Sequence, residues 1–129
     1  MGNPMKNNAM LFQLIFTAAA MLMSFNVYGQ DVSKAASNVY MLKSDTLGVR
    51  IYEVKWPAGA VAAMHTHPDH GGYVIEGGTL SITDKDGKTE EMTFKAGDAF
   101  FGGPETHSAT NIGKTTMKAV IFEVRRPRK

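Results

Sequence analysis

From Asn38 to the end of the chain, apolar residues recur in short runs at a period of two, and turn-forming residues interrupt them at short intervals. Val39–Leu42 and Val49–Trp56 are rich in branched and aromatic residues and are separated by a polar stretch ending in Gly48. Pro57-Ala58-Gly59 turns the chain into Ala60–His67, Pro68-Asp69 breaks that run, and Tyr73–Glu76 resumes pairing before Gly77-Gly78. Thr79–Thr83 alternates cleanly and faces Thr89–Phe94 across Asp84–Gly87, where Asp86-Gly87 predicts a hairpin because glycine accepts the positive φ of a tight turn. Ala99–Phe101, His107–Asn111 and Thr116–Val124 complete a set of about nine predicted strands. No window sustains a helical period, so the pattern predicts an all-β fold. Closing the strands into a small antiparallel barrel would hide their edges and enclose one cavity.

The first part of the chain follows a different pattern. Lys6 is followed by an uncharged apolar stretch from Ala9 to Phe25, and Val27 and Gly29 stand at the small-residue positions of a cut after Gly29. These are the parts of a secretory signal peptide, and an apolar stretch of 17 residues, interrupted by Gln13, is short for a membrane span. The expected organisation is therefore a cleaved leader over residues 1–29, a mobile polar lead-in over 30–37, a barrel over 38–125 and a basic, solvated tail over 126–129. The mature protein is expected to be exported to the periplasm or secreted, with no stable membrane insertion.

Composition narrows the function classes. The net charge is +2 over the full chain, and losing the leader removes only Lys6 among the charged residues, so no field for nucleic acid is present. Five of the nine methionines lie in the leader; Met41, Met64, Met92 and Met117 are expected in the core. With no cysteine, an exported domain has no disulfide and must rely on its core, a metal or a partner, and only nitrogen and oxygen ligands remain for a metal. Neither Gly-x-Ser-x-Gly nor Gly-x-Gly-x-x-Gly occurs, so the motifs of acyl transfer and dinucleotide chemistry are missing.

All four histidines fall in two short runs: His65, His67 and His70 in Met-His-Thr-His-Pro-Asp-His, and His107 in Pro-Glu-Thr-His-Ser. Imidazoles one residue apart on a strand share a face, so His65-x-His67 is a ready half-site for a divalent transition metal such as Fe, Mn, Zn, Ni or Cu. The competing reading is a set of barrel-lining polar residues bonded to their neighbours. Asp69 could orient an imidazole or serve the turn. Tyr52 and Tyr73 could offer a hydroxyl to a substrate or fill the core. Phe100 and Phe101 cannot both face inward on one strand, and Trp56 reads as a core or interface aromatic.

Gly59, five residues, His65-x-His67, then Tyr73-Val-Ile-Glu-Gly77, resembles the first motif of the cupins, and Gly97-Asp98 followed by His107 and Asn111 resembles the second. The resemblance runs from Leu47 to Val124. It implies a small β-barrel or double-stranded β-helix of the jelly-roll type, a homodimer, and one divalent metal held by three histidines and a glutamate. The sequence departs from that set: the glutamate's column falls on His70, closer to His67 than the family usually places it, and the proline of the second motif falls on Gly103, with Pro104 beside it. Glu76 and Glu105 are outside the ligand columns. Two sites are consistent with this, a four-histidine site of His65, His67, His70 and His107, or a three-histidine site with His70 turned outward. An oxygenase, decarboxylase or isomerase on a small oxygen-rich molecule is one functional expectation, and passive capture of a sugar, an acid or the metal is the other. Glu76, Glu105 or Tyr73 facing the cavity would supply a proton shuttle and favour the enzyme, whereas walls made by Phe101, Val74 and Met64 would favour capture.

Overall fold

A computed structural model describes residues 30–125. The chain runs β1 (Gln30–Asp31), α1 (Val32–Ala35), β2 (Tyr40–Thr46), β3 (Val49–Trp56), β4 (Val61–His67), β5 (Asp69–Glu76), β6 (Gly78–Asp84), β7 (Thr89–Phe94), β8 (Ala99–Gly102), β9 (Glu105–Asn111) and β10 (Met117–Val124). The strands form two five-stranded sheets, ordered β1-β4-β9-β6-β7 and β2-β3-β10-β5-β8. Neighbouring strands are antiparallel apart from β1, which pairs parallel to β4. The all-β class expected from the pattern and the jelly roll implied by the resemblance are both observed. The leader and the basic tail lie outside the described residues.

Alternation within each strand selects what the sheets bury between them. In β10, Met117, Ala119, Ile121 and Glu123 point inward, while Lys118, Val120, Phe122 and Val124 are more exposed. Tyr52, Val54 and Trp56 do the same in β3. Together with Tyr40, Val74, Leu80 and Ala109 they make one core shared by both sheets, in which each fully buried aliphatic or aromatic side chain contributes about 1.5–3 kcal/mol. Tyr40 anchors the aromatic part, meeting Tyr52 edge-on at 5.9 Å and Trp56 at 5.7 Å between ring centroids. Trp56 is thus a core residue. Of the methionines expected in the core, Met117 is there, but Met41 and Met92 are exposed because they occupy outward or rim positions of β2 and β7.

The Asp86-Gly87 hairpin joins β6 to β7 as expected, with Gly87 at φ 86° and the Asp84 carboxylate accepting the backbone N–H groups of Asp86 and Lys88. Two other stretches differ from the expectation. The strand resumes at Asp69 and not at Tyr73, because Gly71 and Gly72 serve as strand residues where β8 and β10 press closely. A Cβ on Gly72 would stand 2.6 Å from the Phe100 ring, and one on Gly71 would stand 2.8 Å from the Phe100 carbonyl oxygen. Consequently His70 sits on a strand and is buried, not in a loop.

Residues 30–37, expected as a mobile lead-in, are packed onto the barrel. Gln30 and Asp31 pair with His65 and Thr66, and Val32 and Ala36 are fully buried. Asp31 caps α1 through the Ser33 N–H and also accepts from Arg50 Nη1 at 2.5 Å and Arg125 Nη2 at 2.6 Å. The two arginines come from β3 and from the residue just after β10, distant in sequence, which is why the polar stretch alone reads as a loose lead-in.

Candidate metal centre

The register of β4 against β9 sets His65 opposite His107 and His67 opposite Glu105. His65 and His67 lie on the inner face of β4 and are buried. Their rings stand edge to face with centroids 4.7 Å apart, and His107 lies 4.8 Å from His65 and 5.2 Å from His67. One ligand atom from each of His65, His67 and His107 falls within 4.8 Å of the other two.

Each of these rings has an oxygen acceptor at Nδ1. His65 Nδ1 lies 2.6 Å from the Ala63 carbonyl, His67 Nδ1 lies 2.8 Å from Glu123 Oε1, and His107 Nδ1 lies 3.3 Å from Glu105 Oε1. An acceptor at Nδ1 places the proton there and leaves a lone pair on Nε2, the tautomer that ligating histidines usually adopt. The Nε2 atoms of His65 and His67 are then 3.0 Å apart with lone pairs facing each other. A shared proton or a cation between them relieves that repulsion. A zinc ion at about 2.0–2.1 Å from each nitrogen would span such a separation. Burial pulls the His65 pKa from 6.5 down to about 4, only partly offset by the Ala63 carbonyl. Burial lowers His67 too, against the opposing pull of Glu123. Both rings are therefore neutral and able to ligate at neutral pH.

His70 is brought to the cluster but differently engaged. Its Nδ1 donates to the Pro68 carbonyl at 2.8 Å, and its Nε2 lies 3.0 Å from Glu105 Oε1, with the ring stacked on His67 at 4.6 Å. Both nitrogens face acceptors, which favours the imidazolium. Burial alone would lower the His70 pKa, but the hydrogen bonds to Glu105 and the Pro68 carbonyl outweigh it and raise the value. Glu105, in turn, is held well below the usual carboxylate range by its hydrogen bonds from His107 and His70.

A cavity of about 460 Å³ opens from the cluster and is lined at this end by His67, His70, His107 and Glu105. Of the three candidate proton shuttles, Glu105 faces it. Glu76 is exposed and paired with Lys118 at 3.0 Å, and Tyr73 is 55% exposed, so neither lines the cavity. Tyr52 is buried and donates to Glu123 at 3.3 Å. Of the walls anticipated for passive capture, Phe101 lines the cavity while Val74 and Met64 do not. Phe100 turns inward against Phe94, and Phe101 sits largely exposed at the rim.

Residues 52–123, more than half of the chain, match the family model described as a cupin domain. The chain belongs to the cupins. A cupin domain from Bordetella pertussis is similar in structure, with a TM-score of 0.63 at 16% identity, over 78% of this chain and 100% of that one. A conserved protein with a double-stranded beta-helix domain from Klebsiella pneumoniae gives 0.56 at 22% identity, over 67% of this chain and 76% of that one. A cupin superfamily protein from Desulfitobacterium hafniense gives 0.53 at 13% identity, over 68% and 77%. These likenesses are ones of fold. A comparison with curated proteins finds no sequence match.

Two residues of this cupin's site escaped the motif reading. Glu123, 1% exposed, stands behind His67 and places a carboxylate one bond network away from the cluster. Its signal was present in the alternation of β10, where the only charged residue at an inward position is Glu123. Tyr40 lays its ring against His65 and His67 at 5.5 and 5.7 Å. It precedes the matched motifs, so they gave no pointer to it. Glu105, outside the ligand columns and a candidate proton shuttle by sequence, lies opposite His67 and bonds to two of the histidines. Negative charge is thus supplied from behind the imidazoles, although no carboxylate occupies the expected ligand column.

Proposed function

We propose that this cupin holds one divalent transition metal through Nε2 of His65, His67 and His107 and acts on a small molecule that presents an anionic oxygen. The observation that carries the reading is the convergence of the three rings, each with Nδ1 beside an oxygen acceptor and with one ligand atom of each within 4.8 Å of the other two. Bound there, the metal would supply Lewis acidity toward a chelating oxygen, the chemistry used in oxygenation, decarboxylation and isomerisation. The chain's own contribution is positional. Glu123 and the Ala63 carbonyl hold two ligand rings in place, while Glu105 keeps an ionised carboxylate on the cavity wall that binds His70 and His107 and faces a bound molecule. That placement supports turnover over passive capture.

Metal content tests the reading. Wild-type protein loaded in turn with Fe(II), Mn, Ni, Cu and Zn and desalted is expected to retain one equivalent of at least one of them. His65→Ala and His107→Ala are expected to retain none. Wild type without stoichiometric metal after loading would sink the proposal.

Export and dimerisation belong to the same reading. Supporting export is the order of Lys6, the uncharged apolar stretch Ala9–Phe25 and the small-residue positions Val27 and Gly29. N-terminal sequencing of protein recovered from the periplasm or medium of an expressing bacterium should begin at Gln30. Supporting a homodimer, the outer face of the second sheet exposes Ile51, Tyr73, Ile75 and Val120, and sedimentation velocity should give the mass of two mature chains.

A further inference from the structure

The cavity is chemically two-ended. Nitrogen and carboxylate groups gather at the triad, whereas the walls are made by Leu80, Ile82, Phe94, Phe100, Met117 and Ile121, and Met92 and Phe101 form an exposed apolar rim. Among the described residues that line it there is no Ser, Asn, Gln or Arg. The polar groups outside the histidine end are already engaged. The Thr106 hydroxyl bonds to Thr66 at 2.9 Å, Trp56 Nε1 donates to the Ala60 carbonyl at 3.2 Å, and Lys88 at the mouth pairs with Glu90 at 2.7 Å. Asp84 Oδ1 is occupied by the backbone of its own turn. Tyr40 brings a phenol, but its ring lies against His65 and His67, at the polar end.

Such walls discriminate by desolvation. A sugar or polyol filling the cavity would bury hydroxyls along these walls, stripped of water and, between the histidine end and the charged mouth, left without a partner. An aromatic or branched aliphatic body loses nothing of that kind and gains from leaving water. The volume, about 460 Å³, is in the usual range for small-molecule sites. Resting on the metal reading above, we infer that the site takes an amphipathic small molecule, with an oxygen-chelating anionic head at the triad and an apolar body along the walls toward Phe101 and Met92. Sugars and sugar acids are thereby disfavoured as its ligands.

Three α-hydroxy acids share one chelating head and differ in the body: glycolate has none, mandelate has a phenyl ring, and gluconate has a polyol chain. Binding of each to protein carrying one measured equivalent of zinc is followed by calorimetry and by the emission of Trp56, the chain's one tryptophan and a buried residue lining the cavity. Mandelate is expected to bind at least tenfold more tightly than glycolate, and gluconate no more tightly than glycolate. Ile82→Thr and Met92→Gln, on the wall and rim, are expected to narrow the mandelate-to-glycolate ratio at least threefold with zinc stoichiometry unchanged. Equal affinities for the three acids, a preference for gluconate, or an unchanged ratio in both variants would overturn the inference while leaving the metal centre standing. Failure to retain zinc or any other loaded metal would overturn the metal reading itself.

Discussion

Glu123 Oε1 lies 2.8 Å from Nδ1 of His67, with both side chains almost completely buried. The pair spans 56 residues of sequence and joins the two sheets, since His67 belongs to β4 and Glu123 to β10. A carboxylate behind an imidazole fixes the tautomer and strengthens the ring as a donor. Glu123→Gln keeps the shape and an acceptor oxygen but removes the charge. Metal affinity should fall about 10- to 100-fold by competition titration against a chelating indicator. Unchanged affinity would mean that the pair serves only packing.

His70 tests the ligand count. Because its Nε2 faces Glu105, His70→Asn is expected to retain one equivalent of metal with affinity reduced less than about tenfold, the lower end of what loss of a supporting partner costs. His65→Ala and His107→Ala should lose the metal outright. A loss in His70→Asn as complete as theirs would place His70 among the ligands and make the site one of four histidines.

The buried rings also predict a pH dependence of the metal-free protein. His65 titrates near 4 when folded against an ordinary 6.5, so between these values the unfolded chain takes up a proton that the folded one refuses. Its contribution to stability is complete above about pH 6.5 and lost as the pH falls toward 4. His67, shifted in the same direction, adds to the loss. His70, shifted upward, works the other way: its contribution is present below 6.5 and disappears as the pH rises through its folded value. Since the His70 contribution is already complete below 6.5, Tm is expected to fall as the pH is lowered from 6.5 to 4, and a Tm that rises over this window would contradict the burial of His65 and His67 as neutral rings.

The N-terminal segment is held by one carboxylate. Burial would raise the Asp31 pKa, but hydrogen bonds from Ser33 and Arg50 outweigh it and bring the value down to about 2. Asp31→Ala removes the helix cap and two partly exposed ion pairs. The loss should be about 1–2 kcal/mol in urea unfolding at neutral pH. A change of only a few tenths would show that residues 30–37 rest on Val32 and Ala36 instead.

Period-two alternation between turn residues determined the all-β class and most strand positions, because burying one face of a pleated strand demands it. The spacing of His65 and His67 likewise determined that these two imidazoles share a face; that His107 joins them was implied by the resemblance to the cupin motifs, and the pairing of β4 with β9 brings it about. Register and packing between distant segments decided the rest. His70 became a buried strand residue only because Phe100 and Phe122 press against Gly71 and Gly72, and no local pattern records that crowding. Glu105 and Glu123 joined the site across a strand pair and across the barrel, where the partner of a charge is named by the fold and not by its neighbours in the chain. Residues 30–37 look like polar linker by composition, yet Asp31 finds two arginines that only the closed barrel brings together.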